Sequence, residues 1–353
     1  RQHADGPAHR PARSGMTTLH APTRLGDTWR EWLAENLAMG ASVDEARAAA
    51  IAGCGDADAV DAELTELTGH PYFAVCRRLA LRYDWMESVL DTYRALRDSD
   101  GGCTLERRAD LTPEEFFSRY YFGNRPVVLD GRMTDWPALD WTLESLATAC
   151  GDALVEVMTG RDANPDHAWQ YDRHRTTMPF RDYLAALGSG VRTNDYYMVP
   201  RNENWSGPLR PLAADVRPPE GIVDPAAVGH LLLGPAGTVT PLHVDNSSVL
   251  LCQVLGRKHV RLVPSYERHL VYPRGGTFSA VDAARPDPVR HPRFAEATVL
   301  ETVLEPGQML LVPVGWWHWV EALEVSATVT FHHFCTPGQN HRMATPPAAG
   351  QDD

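Results

Sequence analysis

Thr240-Pro-Leu-His243-Val-Asp245 decides how the chain is read, together with Gly315-Trp-Trp-His318 further on. His243 and Asp245 stand two residues apart. On a strand, side chains at i and i+2 leave the same face, so both can reach one ion. A histidine returning on a later strand completes two imidazoles and one carboxylate on one side of a metal. That facial set suits non-haem Fe(II) and leaves coordination positions open, which marks a catalytic rather than a structural site. His-x-Asp alone is a weak signal, and with 15 histidines in the chain a later one means little. The context is more specific. The pair follows Gly237-Thr-Val-Thr-Pro241, and His318 follows Glu305-Pro-Gly-Gln-Met-Leu-Leu-Val-Pro-Val-Gly315, a turn, an apolar strand and a second turn.

Around these segments, from His230 onward, short apolar runs alternate with Gly and Pro. Strands are expected at 230–233, 238–241, 249–255, 258–263, 299–304, 308–312, 317–320 and 326–335. Many short strands with turn signals suggest a sandwich or barrel of jelly-roll type. The Pro- and Arg-rich segment 264–298 is long for a loop in a compact domain, and such loops tend to be functional. Upstream, Thr112-Pro-Glu-Glu115 caps a short helix, Asn124–Gly131 reads as a buried strand, and Thr142 opens a helix to Cys150. Further strands are expected at 154–158 and 195–199, and a helix at 178–187.

The N-terminal part is helical by pattern. Thr28-Trp-Arg-Glu31 and Ser42-Val-Asp-Glu45 are capping boxes, a third helix covers 58–67, and a fourth runs from about Pro71 to Arg97. In the fourth, Tyr72, Cys76, Leu79, Tyr83, Met86, Leu90 and Tyr93 form one seam. The helical unit reads first as a packing or homodimerisation module, with substrate recruitment as its functional alternative. The expected division is a disordered arm over 1–26, a helical domain over 27–98, the main domain over 103–340 and a disordered tail over 341–353.

The formal charge is -13, from 33 Lys plus Arg against 46 Asp plus Glu. Such a balance disfavours non-specific attraction to nucleic acid or anionic lipid. No apolar run is long enough for a membrane helix. The six cysteines form no CxxC pair, which argues for reduced thiols and a cytoplasmic setting. There is no Ser-His-Asp, Walker or Rossmann signature.

The runs Leu231–Asp245, Gln253-Val-Leu-Gly-Arg-Lys258 and Glu301–Gly307 through His318, with Asn124–Gly131 ahead of them, resemble the cupin-like, JmjC-related Fe(II)/2-oxoglutarate oxygenases. Within them the pattern is nearest to the asparaginyl hydroxylase that acts on hypoxia-inducible factor. The resemblance covers about residues 110–336 and is absent from the helical N-terminus. It implies a mainly β, double-stranded β-helix (jelly-roll or cupin) domain with His243, Asp245 and His318 on iron. It implies 2-oxoglutarate and dioxygen as co-substrates. By the same resemblance Lys258 pairs with the distal carboxylate of 2-oxoglutarate, and Thr240 and Tyr197 donate hydroxyls to it. Strand parity places Thr240 opposite His243, so its role rests on the resemblance alone. Where the family pattern has amide side chains, this chain has His332 and Val249. His332 reads equally as a polar contact to the co-substrate or as a core histidine. Trp316, Trp317, Trp319 and His333 read as packing residues.

The implied reaction is hydroxylation of an amino-acid side chain in a protein or peptide. Alternatives are N-methyl-lysine or N-methyl-arginine demethylation, tailoring of a small natural product, and a catalytically silent metal-binding module. Arg201, Asn202, Asn204 and Trp205 are candidate substrate contacts on a long loop.

Overall fold

In the structure, a computed structural model, residues 24–38, 40–274, 276–336 and 340–343 are described. Most of the expected arm and tail lies outside them. The described chain forms two compact units that divide between Ala95 and Leu96.

Strands are numbered in chain order. One six-stranded sheet runs β1 (Glu106–Arg108), β2 (Val127–Leu129), β12 (Met309–Val312), β7 (Val249–Leu255), β14 (Ser326–Phe331), β5 (His230–Gly234). The second runs β11 (Leu300–Leu304), β8 (Lys258–Val263), β13 (Trp317–Ala322), β6 (Val239–Val244), β10 (Phe278–Ser279), β9 (Pro273–Arg274). From β5 to β8, and again from β11 to β14, successive strands alternate between the sheets. That alternation is the double-stranded β-helix. Pairing is antiparallel throughout except between β1 and β2. A separate ribbon pairs β3 (Leu154–Met158) with β4 (Arg175–Pro179).

Each sheet has an inner face on the site and an outer face that needs cover, because both kinds of face are apolar. Helices cover the first sheet: α5 (Pro113–Glu115), which continues into a π-helical turn at Phe116–Tyr121, α6 (Leu143–Cys150) and α7 (Phe180–Gly188). Phe116, Leu146, Phe180 and Tyr183 pack there with Leu129, Cys252 and Val329. The long segment 264–298 covers the second sheet, with Val271, Val281 and Phe294 packed on Leu242, Trp317 and Trp319. Trp316 sits in a separate core cluster. The three tryptophans are packing residues, whereas His333 is exposed.

The expected strand at 195–199 is only two isolated bridges, Tyr197 to Met158 and Met198 to Leu233. The two residues before it spend their side chains on backbone groups: Thr193 Oγ1 accepts from Asp195 N, and Asn194 Oδ1 from Val239 N. The helix expected from Met178 begins at Phe180, because Met178 and Pro179 pair with β3. Residues 340–343, of which 341–343 fall in the expected tail, are tied to the domain by hydrogen bonds, although only Asn340 is buried. The Asn340 side chain donates to the Ser248 carbonyl, and Met343 N donates to the Asn246 carbonyl.

The N-terminal helices are α1 (Asp27–Ala38), α2 (Val43–Cys54), α3 (Ala57–Gly69) and α4 (Pro71–Ser99). The Ser42–Glu45 capping box forms. Thr28 does not cap α1, which starts one residue earlier with the Gly26 carbonyl accepting from Trp29 and Arg30. Leu25, Trp29, Leu33, Ala50, Val60, Leu64 and Phe73 make the core of this unit. The α4 seam is not part of it: Tyr72, Leu79, Tyr83, Met86 and Tyr93 are all exposed. Three short helices bury only the first turn of a helix of 29 residues. No described helix is long and apolar enough to cross a membrane.

The turn that carries the chain from β7 in one sheet to β8 in the other delivers Lys258 and is made at Gly256, where φ is +63° and an added Cβ would meet the Val325 carbonyl oxygen at 2.1 Å. We predict that Gly256→Ala destabilises the fold by at least about 1–3 kcal/mol, the range for strained backbone conformations. A lower denaturant midpoint with an unchanged slope is the expected reading.

Candidate metal centre

The site begins with an irregularity in β6. His243 pairs with His318 and Thr240 with Val320, so Pro241 and Leu242 together oppose the single residue Trp319. This β-bulge inserts one residue into the alternation. It brings Thr240 back to the face that carries His243, against the parity expected from spacing. Leu242 and Val244 point outward into the tryptophan cluster. His243, Asp245 and His318 point inward, with one ligand atom from each lying within 4.8 Å of the others.

The imidazoles are held from behind. His243 Nδ1–H is shared between the carbonyls of Pro241 (2.9 Å) and His318 (3.1 Å). His318 Nδ1 lies 3.3 Å from the Trp316 carbonyl. Both Nε2 lone pairs are thereby left toward Asp245, at 4.0 Å from Oδ1 and 3.6 Å from Oδ2. A histidine that donates one ring nitrogen to a carbonyl and keeps the other free is oriented for metal binding. Phe278 of β10 stacks on His243, with ring centroids 5.7 Å apart, and also lines the cavity between the two sheets.

Electrostatics favour the ligating protonation states. Burial, reinforced by His243, pushes His318 down to about 4. The depth of Asp245 alone would push its carboxyl up, but His318, His243 and His332 outweigh that and hold it below the usual range. The donor set of two imidazoles and one carboxylate fits Fe(II) on its chemistry.

These ligands open onto a cavity of about 350 Å³ between the two sheets. Lys258, Thr240, Tyr197 and His332 all line it. Lys258 is buried, with Nζ 5.9 Å from the Tyr197 ring centroid. The Tyr197 hydroxyl lies 3.4 Å from Thr240 Oγ1. Tyr196, its neighbour, packs instead against the core outside the first sheet. His332 sits 3.5 Å from Ser247 Oγ, with burial lowering its pKa. Val249, Leu251 and Val260 supply apolar wall. Of the four candidate substrate contacts, only Arg201 lines the cavity, stacked 4.2 Å over the Tyr171 ring. Asn202 and Asn204 are buried and hydrogen-bond Glu156, and Trp205 packs near Trp141. Sequence reading missed Phe278, Arg161 and His167. Each lies in a segment without periodicity, so nothing local sets it apart.

We predict that replacing His243, Asp245 or His318 with Ala lowers Fe(II) affinity by more than about 100-fold, since outer-shell changes alone cost 10–100-fold. Anaerobic equilibrium dialysis measures it. The metal-free protein should also lose stability as pH falls. His318 and His167 both titrate near 4 when folded, against 6.5 as free groups. Above pH 6.5 neither state is protonated. Between 6.5 and about 4 the unfolded chain takes up protons that the folded chain refuses, so stability declines through that window. His318→Leu should make the decline shallower in urea titrations at stepped pH.

Over residues 113–337 the chain matches the family described as the cupin-like domain. Lysine-specific demethylase JMJ30 of Arabidopsis thaliana is 32% identical over 240 residues, covering 64% of this chain and 54% of that protein. Lysine-specific demethylase 8 of Xenopus tropicalis is 31% identical over 229 residues, covering 62% and 50%. HSPB1-associated protein 1 of Rattus norvegicus is 25% identical over 261 residues, covering 67% and 54%. The chain spans about half the length of these curated relatives. They bear out the JmjC-type part of the likeness and not its narrower asparaginyl-hydroxylase part. Since the match takes in well over half of the sequence, the chain belongs to the cupin-like domain family, with the His-Asp-His set of its JmjC-type oxygenases in place and Fe(II), 2-oxoglutarate and dioxygen as that group's cofactor and co-substrates.

Proposed function

We propose that the protein is an Fe(II)- and 2-oxoglutarate-dependent dioxygenase that hydroxylates an amino-acid side chain in a protein or peptide. The observation that carries this is a three-ligand facial site opening onto a cavity whose wall also holds a buried lysine. Bound iron with 2-oxoglutarate and dioxygen supplies the oxidising power to convert C–H to C–OH, releasing succinate and carbon dioxide.

The chain's own residues orient and exclude. The two carbonyl-held imidazoles and Asp245 would hold the metal by one face and leave the opposite face to ligands. Lys258 would oppose the distal carboxylate of 2-oxoglutarate, and the hydroxyls of Thr240 and Tyr197 would complete its hydrogen bonds. Val249, Leu251 and Val260 keep water from the reacting carbon. No protein nucleophile is required.

The charge of the cavity bears on the substrate. Asp245 is the only carboxylate among the described lining residues, while Arg161, Arg201 and Lys258 are all cationic. With Lys258 set against the co-substrate carboxylate, Arg201 remains as a lining cation and favours a neutral substrate side chain beside it. The names of two relatives favour a second reading, N-methyl-lysine demethylation, which begins with hydroxylation of the methyl carbon.

Succinate release by the Fe(II)-loaded protein tests the class, and no release with iron bound would end the proposal. Mass spectrometry of candidate peptides separates the readings. Gain of one oxygen supports hydroxylation; loss of a methyl group with formaldehyde supports demethylation. Lys258→Ala should raise the KM for 2-oxoglutarate by about 10–100-fold, the worth of one charged hydrogen bond, with iron affinity unchanged.

A further inference from the structure

The segment between β3 and β4 holds a buried cation with no ion-pair partner among the described residues. Arg161 is 3% exposed. Its Nη2 donates to the Val239 carbonyl at 2.7 Å and to His167 Nε2 at 3.0 Å. Its Nε and Nη1 are buried without a hydrogen-bond partner, and no carboxylate pairs with it among the described residues. A buried charge is costly unless paired, and orphaned buried donors are rare in native proteins. Burial pushes this guanidinium down to about 10, even with Tyr197, Tyr183, Asp162 and Asp195 acting against it.

The surroundings are nonetheless built to hold it. His167 Nδ1–H donates to the Asn164 carbonyl at 3.0 Å, which leaves Nε2 free to accept from Arg161. Asn164 donates to His174 Nε2 at 2.9 Å and to Gln170 Oε1 at 3.1 Å. His174 Nδ1–H in turn donates to the Thr159 carbonyl at 2.8 Å. A chain of side chains thus orders an irregular segment and fixes one guanidinium, its Cζ 4.9 Å from the Tyr197 ring centroid.

Arg161 lines the same cavity as the metal ligands, and Lys258 approaches the same Tyr197 ring. Two buried cations therefore stand 4.9 and 5.9 Å from the centroid of one phenol ring, while the only lining carboxylate among the described residues, Asp245, belongs to the metal end. We propose that Arg161 is a second carboxylate anchor in this cavity, acting with Lys258 on the far carboxylate of the 2-oxoglutarate co-substrate. The assignment rests on reading the cavity as a co-substrate site.

Calorimetric titration of the full chain loaded with Mn(II), a redox-silent stand-in for iron, tests it. The ligands are 2-oxoglutarate and 2-oxobutanoate, which lacks the far carboxylate. Arg161→Met should weaken 2-oxoglutarate at least about tenfold, the low end for a charged hydrogen bond. It should leave 2-oxobutanoate within about twofold, and Arg161→Lys should fall between. Removing an unpaired buried charge should also leave the ligand-free melting temperature unchanged or higher, while the rise caused by 2-oxoglutarate shrinks. Equal weakening of both keto acids, or failure of Arg161→Met to fold, would make Arg161 structural and overturn the assignment. Undiminished 2-oxoglutarate binding by Arg161→Met would overturn it while leaving the co-substrate reading intact. If the wild-type protein binds no 2-oxoglutarate, that reading falls and the anchor with it.

Discussion

The pairing of β6 with β13 is the constraint on which the rest of the site depends. It sets His243 opposite His318, and the His318 carbonyl takes part of the Nδ1–H of His243. One ladder position thereby supplies two candidate metal ligands and fixes the ring orientation of the first. The pairing is stabilised from outside. Trp317 and Trp319 alternate with His318 and bury their rings, with Leu242 and Val244 of β6, under the segment 264–298. Full burial of such side chains is worth roughly 1.5–3 kcal/mol each. That apolar layer allows the opposite face of the same strands to carry histidine and aspartate.

The bulge at Pro241 and Leu242 gives the second organising feature. A regular strand would put Thr240 on the outer face with Leu242. The extra residue returns it to the inner face, where it meets the Tyr197 hydroxyl. Tyr197 is then the centre of a polar corner, with Thr240 at its hydroxyl and Lys258 and Arg161 at its ring. Cations placed against an aromatic face are partly compensated, by about 0.5–2 kcal/mol, well short of the cost of burying a charge. This imbalance distinguishes the corner from an ordinary core and marks it as a place for an anion.

The fold and the metal centre were largely legible in the residues. The strands at 249–255 and 258–263 have the boundaries expected from their apolar runs, and the His-x-Asp spacing already put two donors on one face. The likeness carried by Gln253–Lys258 placed Lys258 at a strand start, and it is buried on the cavity wall. Other expectations failed for identifiable reasons. Residues 195–199 have strand-like composition but give their hydrogen bonds to turns and isolated bridges. The α4 seam has the spacing of a core face, yet the helices beside it are too short to cover it.

By itself the sequence determined a β class of fold and two of the candidate metal donors. Both follow from local periodicity: alternation on strands, punctuation by Gly and Pro, and His243 and Asp245 two residues apart, whereas His318 and the double-stranded β-helix came from motif context and family likeness. Tertiary structure alone decided the face of Thr240, because a bulge is defined only against the partner strand. It also decided the place of Arg161 and Phe278, since each reaches the cavity from a segment with no period of its own. Periodicity shows which side of an element is buried. Which buried groups find partners, and which are left facing a cavity, is fixed only when distant segments close around them.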